Sequence, residues 1–292
     1  GGLDTDANDG TAGGTIVWVM SPGDREIKGY VNGDAMTGQL AITLTLGGAT
    51  SIDPNLAGNV TVTVTLADNF ANIFADNLQT SFDLGSVTVQ GSDGDDTVTG
   101  VVNVTVIDDV PSVEIAPAVA DDTPATDTVA ENGANLSGAI TLVEGADQDA
   151  TLVISGTGFA DMSFTLNGAA DVTLVRTVMN GPDELGVLSV TVNAGGAASW
   201  TFNPSLDVAG EPSFSFTATI TDADGDADAD PHTITITDGA NPQDAATQSV
   251  TLDEDDLPDG SSTNVPALTQ VATLAFTAGS DTLGSFVFTG IG

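Results

Sequence analysis

The run Val60-Thr-Val-Thr-Val-Thr-Leu66 alternates aliphatic and hydroxyl side chains without a break. A period of two sends successive side chains to opposite faces of an extended chain, so one face is aliphatic and the other threonine. Runs of this kind recur along the whole sequence, the 34 glycines and 12 prolines fall between them, and no stretch carries a helical period. Expected strands before Pro111 are Thr15–Met20, Leu40–Leu46, Val60–Leu66, Ser86–Gln90 and Val101–Ile107. Beyond it come Ala139–Val143, Thr151–Ser155, Ser163–Leu166, Val172–Val175, Gly186–Val192, Ser199–Phe202, Ser213–Thr221 and Thr233–Thr237. Short strands separated by turn residues at roughly ten-residue intervals predict an all-β chain of sandwich modules, Ig-like or cadherin-like.

The sequence also repeats itself. Ser86-Val-Thr-Val-Gln-Gly-Ser-Asp-Gly-Asp-Asp96, followed by Val101-Val-Asn-Val-Thr-Val-Ile-Asp-Asp-Val-Pro111, has a counterpart in Phe216-Thr-Ala-Thr-Ile-Thr-Asp-Ala-Asp-Gly-Asp226, followed by His232-Thr-Ile-Thr-Ile-Thr-Asp-Gly-Ala-Asn-Pro242. Each is a strand, an Asp-Gly-Asp turn, an alternating strand, and an acidic departure into proline. Modules are therefore expected to end near Pro111 and Pro242, giving units 1–110, 111–242 and 243–292. The first looks as if its opening strands are missing. The last, with expected strands Val271–Thr277 and Ser285–Thr289, is too short for a sandwich of its own.

Charge narrows the function. There are 42 acids against Arg25, Lys28 and Arg176, a formal charge of −39. Such a chain repels nucleic acid and anionic membrane, which need Lys and Arg to neutralise phosphate. Of the acids, 35 are Asp and seven are Glu. A salt-adapted surface can use either residue, whereas tight turns around a hard cation favour the short Asp carboxylate, so calcium is the expected ligand. There is no cysteine to stiffen the chain by disulfides, and no apolar run is long enough to span a bilayer.

The densest acidic stretch is Asp222-Ala-Asp-Gly-Asp-Ala-Asp-Ala-Asp230, with Asp222, Asp224, Asp226, Asp228 and Asp230 at alternate positions around Gly225. It begins like an EF-hand loop but has no flanking helices and no closing Glu, so a calcium-binding β-turn is expected instead. Asp93, Asp95 and Asp96 occupy the equivalent hairpin; the nonapeptide Gly91–Thr99 is close to a calcium β-roll repeat, but a single copy cannot build one. A second class of site lies at the module boundaries: Asp108 and Asp109 before Pro111, Asp238 and Asn241 before Pro242, and Glu131, Asp253 and Glu254 near the first strands of the modules they open. Acids on both sides of a short linker can share an ion and turn a hinge into a rod. Asp121, Asp122, Asp147 and Asp149 are weaker candidates.

Several blocks resemble the repeat modules of giant type I secreted bacterial adhesins, the RTX or biofilm-associated adhesins. They are Ser249-Val-Thr-Leu-Asp-Glu-Asp-Asp-Leu-Pro-Asp-Gly260, Gly58-Asn-Val-Thr-Val-Thr-Val-Thr-Leu-Ala-Asp-Asn-Phe70, Gly94 to Pro111, and Asn203-Pro-Ser-Leu-Asp-Val-Ala-Gly-Glu-Pro-Ser-Phe-Ser-Phe216. The resemblance implies tandem extracellular β-sandwiches on a bacterial cell surface, calcium at acidic loops, and roles in attachment and biofilm. In such modules the Leu-Pro-Asp-Gly block precedes the Trp-containing strand, here Gly14-Thr-Ile-Val-Trp18, so the order is rotated. Residues 243–292 are then expected to open a module that residues 1–110 of the next copy complete in a tandem array.

An enzyme is not expected. His232 is the only histidine, no Cys exists to act as nucleophile, and acid pairs on so acidic a surface arise by chance. Trp18 and Trp200 are expected in cores, and the Thr rows are expected to be ordinary wet strand faces. The expected role is a structural extender, partnered by adjacent modules or neighbouring copies in a fibre. A surface-layer or filament subunit and a carbohydrate-binding module are the alternatives.

Overall fold

Most of the aliphatic and threonine runs before residue 238 form strands, and the chain is all-β. The computed structural model describes residues 3–4, 16–31, 35–67, 71–72, 81–107, 109–118, 126–145, 150–223, 225–261 and 269–290.

In the N-terminal region, β1 (Leu3–Asp4) pairs with β6 (Ala71–Asn72) over two residues. An antiparallel sheet runs β2 (Val17–Met20), β3 (Glu26–Val31), β4 (Gln39–Gly48), β5 (Val60–Leu66) in that order. β7 (Ser81–Ser92) and β8 (Thr97–Ile107) form a long hairpin beside it. β3 is not among the expected strands because Glu26 and Lys28 break its apolar pattern. They lie two residues apart and pair at 2.8 Å along the strand surface. The buried hydrophobic residues described here are Ala41, Ile42 and Leu44, with Val62, Leu84, Val87, Val104 and Val106 packed around them. Trp18, expected in a core, is 44% exposed, and Met20, Val64 and Leu66 are exposed as well.

Residues 112–237 build two five-stranded sheets. One contains, in order, β10 (Thr126–Ala130), β18 (Ala227–Thr237), β17 (Ser213–Thr221), β12 (Thr151–Gly156) and β13 (Met162–Thr165). The other contains β14 (Val172–Asn180), β15 (Asp183–Val192), β16 (Ala198–Pro204), β11 (Leu136–Val143) and β9 (Ser112–Ile115). Their inward faces meet in one continuous core that includes Ile154, Leu188, Trp200, Phe202, Phe216 and Ile220. Trp200 meets Phe216 edge-on at 5.7 Å, the arrangement aromatic quadrupoles favour. A side chain at Gly138 would run into this ring and the Ala116 carbonyl, so the glycine lets Trp200 Nε1 donate to Ala116 O at 3.1 Å.

The opening strand of this sandwich is divided between its sheets. β9 pairs antiparallel with β11, whereas β10 pairs with β18 and runs parallel to it, Thr126 opposite Thr233 and Ala130 opposite Thr237. All other ladders of the two sheets are antiparallel. The chain therefore arrives at one pole, where Val113 meets Asp228, and departs from the other, past Thr237. Ten residues of β18 separate these poles, about 33 Å at a strand's rise.

Beyond the sandwich, residues 253–257 form a short 3-10 turn over Glu254–Asp256, capped by Asp253. The expected strands Val271–Thr277 and Ser285–Thr289 join no ladder among the described residues; the segment makes one isolated bridge, Gln243 to Thr277. A strand needs a neighbouring edge for its backbone groups, and alternation alone does not supply one. The Phe276 and Phe286 rings nevertheless meet at 5.1 Å, tilted by 44°, bringing the two limbs of the segment together.

Candidate metal centre

At the departure pole, three carboxylates from distant parts of the sequence converge. Glu131 follows β10, Asp238 follows β18, and Asp281 lies in the segment after the sandwich; a ligand oxygen from each falls within 4.8 Å of the others. Glu131 is buried, with Oε2 accepting from Val208 N at 2.7 Å and Oε1 from Gly239 N at 3.1 Å. These two donors lock its orientation. Burial opposes ionisation of Glu131, but hydrogen bonds from Ser280, Val208 and Gly239 outweigh it and hold its carboxyl below the ordinary value. Asp281 is pushed the other way, first by desolvation and then by the charges of Glu131, Asp238 and Asp207. Carboxylates gathered this closely favour a counter-charge among them.

The downstream segment is tied to this pole independently of any ion. Ser280 N donates to Ala240 O at 2.8 Å, Gln243 N to Thr277 O at 2.9 Å, and Thr282 Oγ1 to Asp207 Oδ2 at 3.0 Å. The donor set is entirely oxygen, which suits a hard cation rather than zinc or copper. The cluster could hold a metal ion.

Of the expected boundary ligands, Glu131 and Asp238 come together here. Asn241 lies next to the pole, exposed, its carbonyl accepting from the Gln243 side chain at 3.1 Å. Asp253 Oδ1 is used on the 3-10 turn, accepting from Asp255 N at 3.0 Å, and Glu254 is part of that turn. Asp281 and Asp207 are not among the expected ligands. For Asp281 a signal exists, since Gly279-Ser-Asp281 repeats the Gly91-Ser-Asp93 that opens the first acidic hairpin.

The acidic hairpins do different work. Both Asp-Gly-Asp motifs form the expected turns, between Ser92 and Thr97 and between Thr221 and Ala227. Gly94 and Gly225 have φ of 114° and 105°, a region open to glycine. In the first, Asp93 Oδ1 accepts from Asp96 N at 2.9 Å, leaving Asp95 and Asp96 on the exposed tip. In the second, buried Asp222 accepts through Oδ1 from Gly225 N at 3.1 Å and Asp226 N at 2.8 Å. Asp226 is buried too.

Asp228 and Asp230 point elsewhere. By the period of two they share the inward face of β18 with His232, Ile234 and Ile236. Asp228 Oδ2 accepts from Val113 N at 2.9 Å and Asp230 Oδ2 from Ile115 N at 2.7 Å. They act as a side-chain ladder that fastens β9 across the gap between the sheets. The alternation that reads as a cation-binding stretch is thus partly the polar end of a core-facing strand. At the same arrival pole, the Asp109 carboxylate lies against Gly145. Asp108, Asp121, Asp122, Asp147, Asp149 and Asp224 lie outside the described residues.

One further polar pair is buried in the sandwich. His232 sits fully buried between Trp200 and Phe216, with ring centroids at 4.9 and 5.3 Å, and its Nε2 contacts Asp127 Oδ2 at 3.0 Å. The same oxygen accepts from Ala118 N at 2.7 Å. Burial holds the imidazole below its ordinary value against the opposing pull of Asp127 and Asp230. The neutral ring then donates from Nε2, and Nδ1 has no hydrogen-bond partner among the described residues. The pair fastens β10 and the β9–β10 connection to β18.

No protein-family model matches the chain, and no curated protein matches it either.

Proposed function

We propose that the chain is an extender repeat of a calcium-dependent adhesin on a bacterial cell surface, resembling the stalk modules of type I secreted, biofilm-associated adhesins. One observation carries this reading. The complete sandwich receives the chain at one pole and releases it at the other, and the releasing pole joins Glu131 and Asp238 to Asp281 of the next segment. A module threaded end to end adds its full length to a stalk. An ion shared across its exit removes the hinge between one module and its successor. Calcium is the cation of choice because the donors are carboxylate oxygens on a partly exposed rim. Its binding would also offset part of the repulsion among −39 charges.

Calorimetric titration of the chelated chain with calcium, paired with thermal melting, tests the proposal. Calcium should bind with measurable heat and raise the melting temperature well beyond sodium at equal ionic strength. Equal effects of the two salts would leave only screening and remove the calcium reading. Assembly of copies end to end, as in a filament subunit, is favoured by a separate observation, the apolar segment beyond the departure pole.

A further inference from the structure

β10 is the least secured strand of its sheet. It stands first in the strand order and pairs with β18 alone among the described residues, over five positions from Thr126 to Ala130, with one further bond from Glu131 N to Thr237 O. Its fully buried side chains are Asp127 and Val129. A short edge strand that gives one apolar side chain to the core gains little from burial, and such elements open without the rest of the fold.

A polar lock supplies what apolar contact does not. Asp127 Oδ2 accepts from His232 Nε2 at 3.0 Å and from Ala118 N at 2.7 Å, and the side chains of Asp127 and His232 are both fully buried. Among the described residues, the ionisable groups facing the ring are Asp127 from β10 and Asp230 from its own strand. Asp230 is engaged by Ile115 N at 2.7 Å. β16 and β17 cover the ring with uncharged Trp200 and Phe216, and Glu114 of β9 is exposed on the opposite face of its strand. Nδ1 has no hydrogen-bond partner.

The lock suits one protonation state. In the neutral ring Nε2 donates to Asp127 and Nδ1 carries only a lone pair. A proton on Nδ1 creates a buried donor without an acceptor, together with a charge withdrawn from water. Burial accordingly holds the imidazole below its ordinary value against Asp127 and Asp230. Once β10 has lifted away, the ring meets water and takes its proton at the ordinary value.

We propose that β10 is an acid-released latch: protonation of His232 lifts β10 from β18 while the remaining strands of both sheets stay folded. Release bares the edge of β18, which is then open to pairing. It also carries Glu131, the residue after β10, away from Val208 N and Gly239 N, so the departure pole comes apart with the strand. The loss of an ion ligand there rests on the calcium reading; the opening of β10 does not.

Hydrogen exchange and ring-proton spectra of the full chain in chelator test the latch without any ion. His232 is the only histidine, so its ring signal is read directly. Between about pH 7.5 and about pH 5.5, protection of the β10 amides, corrected for the intrinsic pH dependence of exchange, should fall about tenfold, the ratio reached when only the open-state ring has taken its proton. This exchange should be insensitive to low urea, the mark of a local opening, whereas the amides of β15 and β16 should follow the urea dependence of whole unfolding. His232→Gln keeps a donor toward Asp127 and removes the titration, so its β10 protection should be flat over the same range. Equal urea dependence of β10 and β15 would make the sandwich one cooperative unit and overturn the latch. Constant β10 protection in the wild-type chain, or an equal fall in His232→Gln, would do the same. So would a wild-type ring that takes its proton at its ordinary value with β10 protection unchanged, an outcome that needs no variant to fold.

Discussion

Replacing both Asp228 and Asp230 separates a structural carboxylate from a metal-binding one. Each accepts a single β9 amide, and hydrogen bonds to a charged group contribute about 1.5–3 kcal/mol. Both residues are half-buried, so water can partly replace them and the lower figure applies. Asp228→Ala with Asp230→Ala should cost the sandwich about 3 kcal/mol. Asn at both positions keeps a neutral acceptor and should cost about half of that. The assay is urea unfolding in chelator, in a Trp18→Phe background so that Trp200 alone reports. Amide exchange at Val113 and Ile115 gives the local measure, and it should quicken by about two orders of magnitude in the double Ala variant. If the loss disappears in chelator and returns only with calcium, the two carboxylates are ion ligands and the side-chain ladder is wrong.

The buried groups give two other expected outcomes. Glu131→Ala strands the amides of Val208 and Gly239 and should cost about 2–4 kcal/mol even without calcium, whereas Glu131→Gln should lose less in chelator but forfeit most of the calcium-dependent gain in melting temperature; equal behaviour of the two would contradict the assigned contacts. His232, depressed below 6.5 by burial, binds its proton more readily unfolded than folded. Stability should therefore be flat above pH 6.5 and fall below it by at most about 1.4 kcal/mol per pH unit, and His232→Gln should abolish the decline between 6.5 and about 5. Glu131, also depressed, adds a second loss only below its ordinary 4.5. A decline that survives the His232 change above pH 5 would place the titration elsewhere.

The all-β architecture and both Asp-Gly-Asp turns are legible in the sequence because they are local: period-two alternation and a glycine between acids are written within a few residues. β9 and β10 are harder to see. They are four and five residues long, and the inward side chain of β10 at Asp127 is a carboxylate whose partner, His232, lies 105 positions away. The backbone contacts of Asp228 and Asp230 are hidden for a related reason. Alternation says that they share a face, but only the sandwich says that this face meets the backbone of β9. The departure-pole cluster is half legible, since Glu131 and Asp238 flank module boundaries, whereas Asp281 reaches them through a fold in the next segment that no spacing announces. The strands expected at 271–277 and 285–289 join no ladder among the described residues, because alternation does not supply a neighbouring edge.

The parallel pairing of β10 with β18 has a mechanical consequence. A pull between Ser112 and Thr237 draws the opening and closing strands of the sandwich in opposite directions along their own lengths. The five residue pairs from Thr126–Thr233 to Ala130–Thr237 are then sheared together instead of being peeled one after another. The Asp228 and Asp230 contacts to β9 lie along the same line and share the load. Rupture under force is governed by the height of the unfolding barrier rather than by equilibrium stability, and a ladder that must break all at once raises that barrier. The module should therefore resist stretching from its ends far better than its modest length of paired strand would suggest.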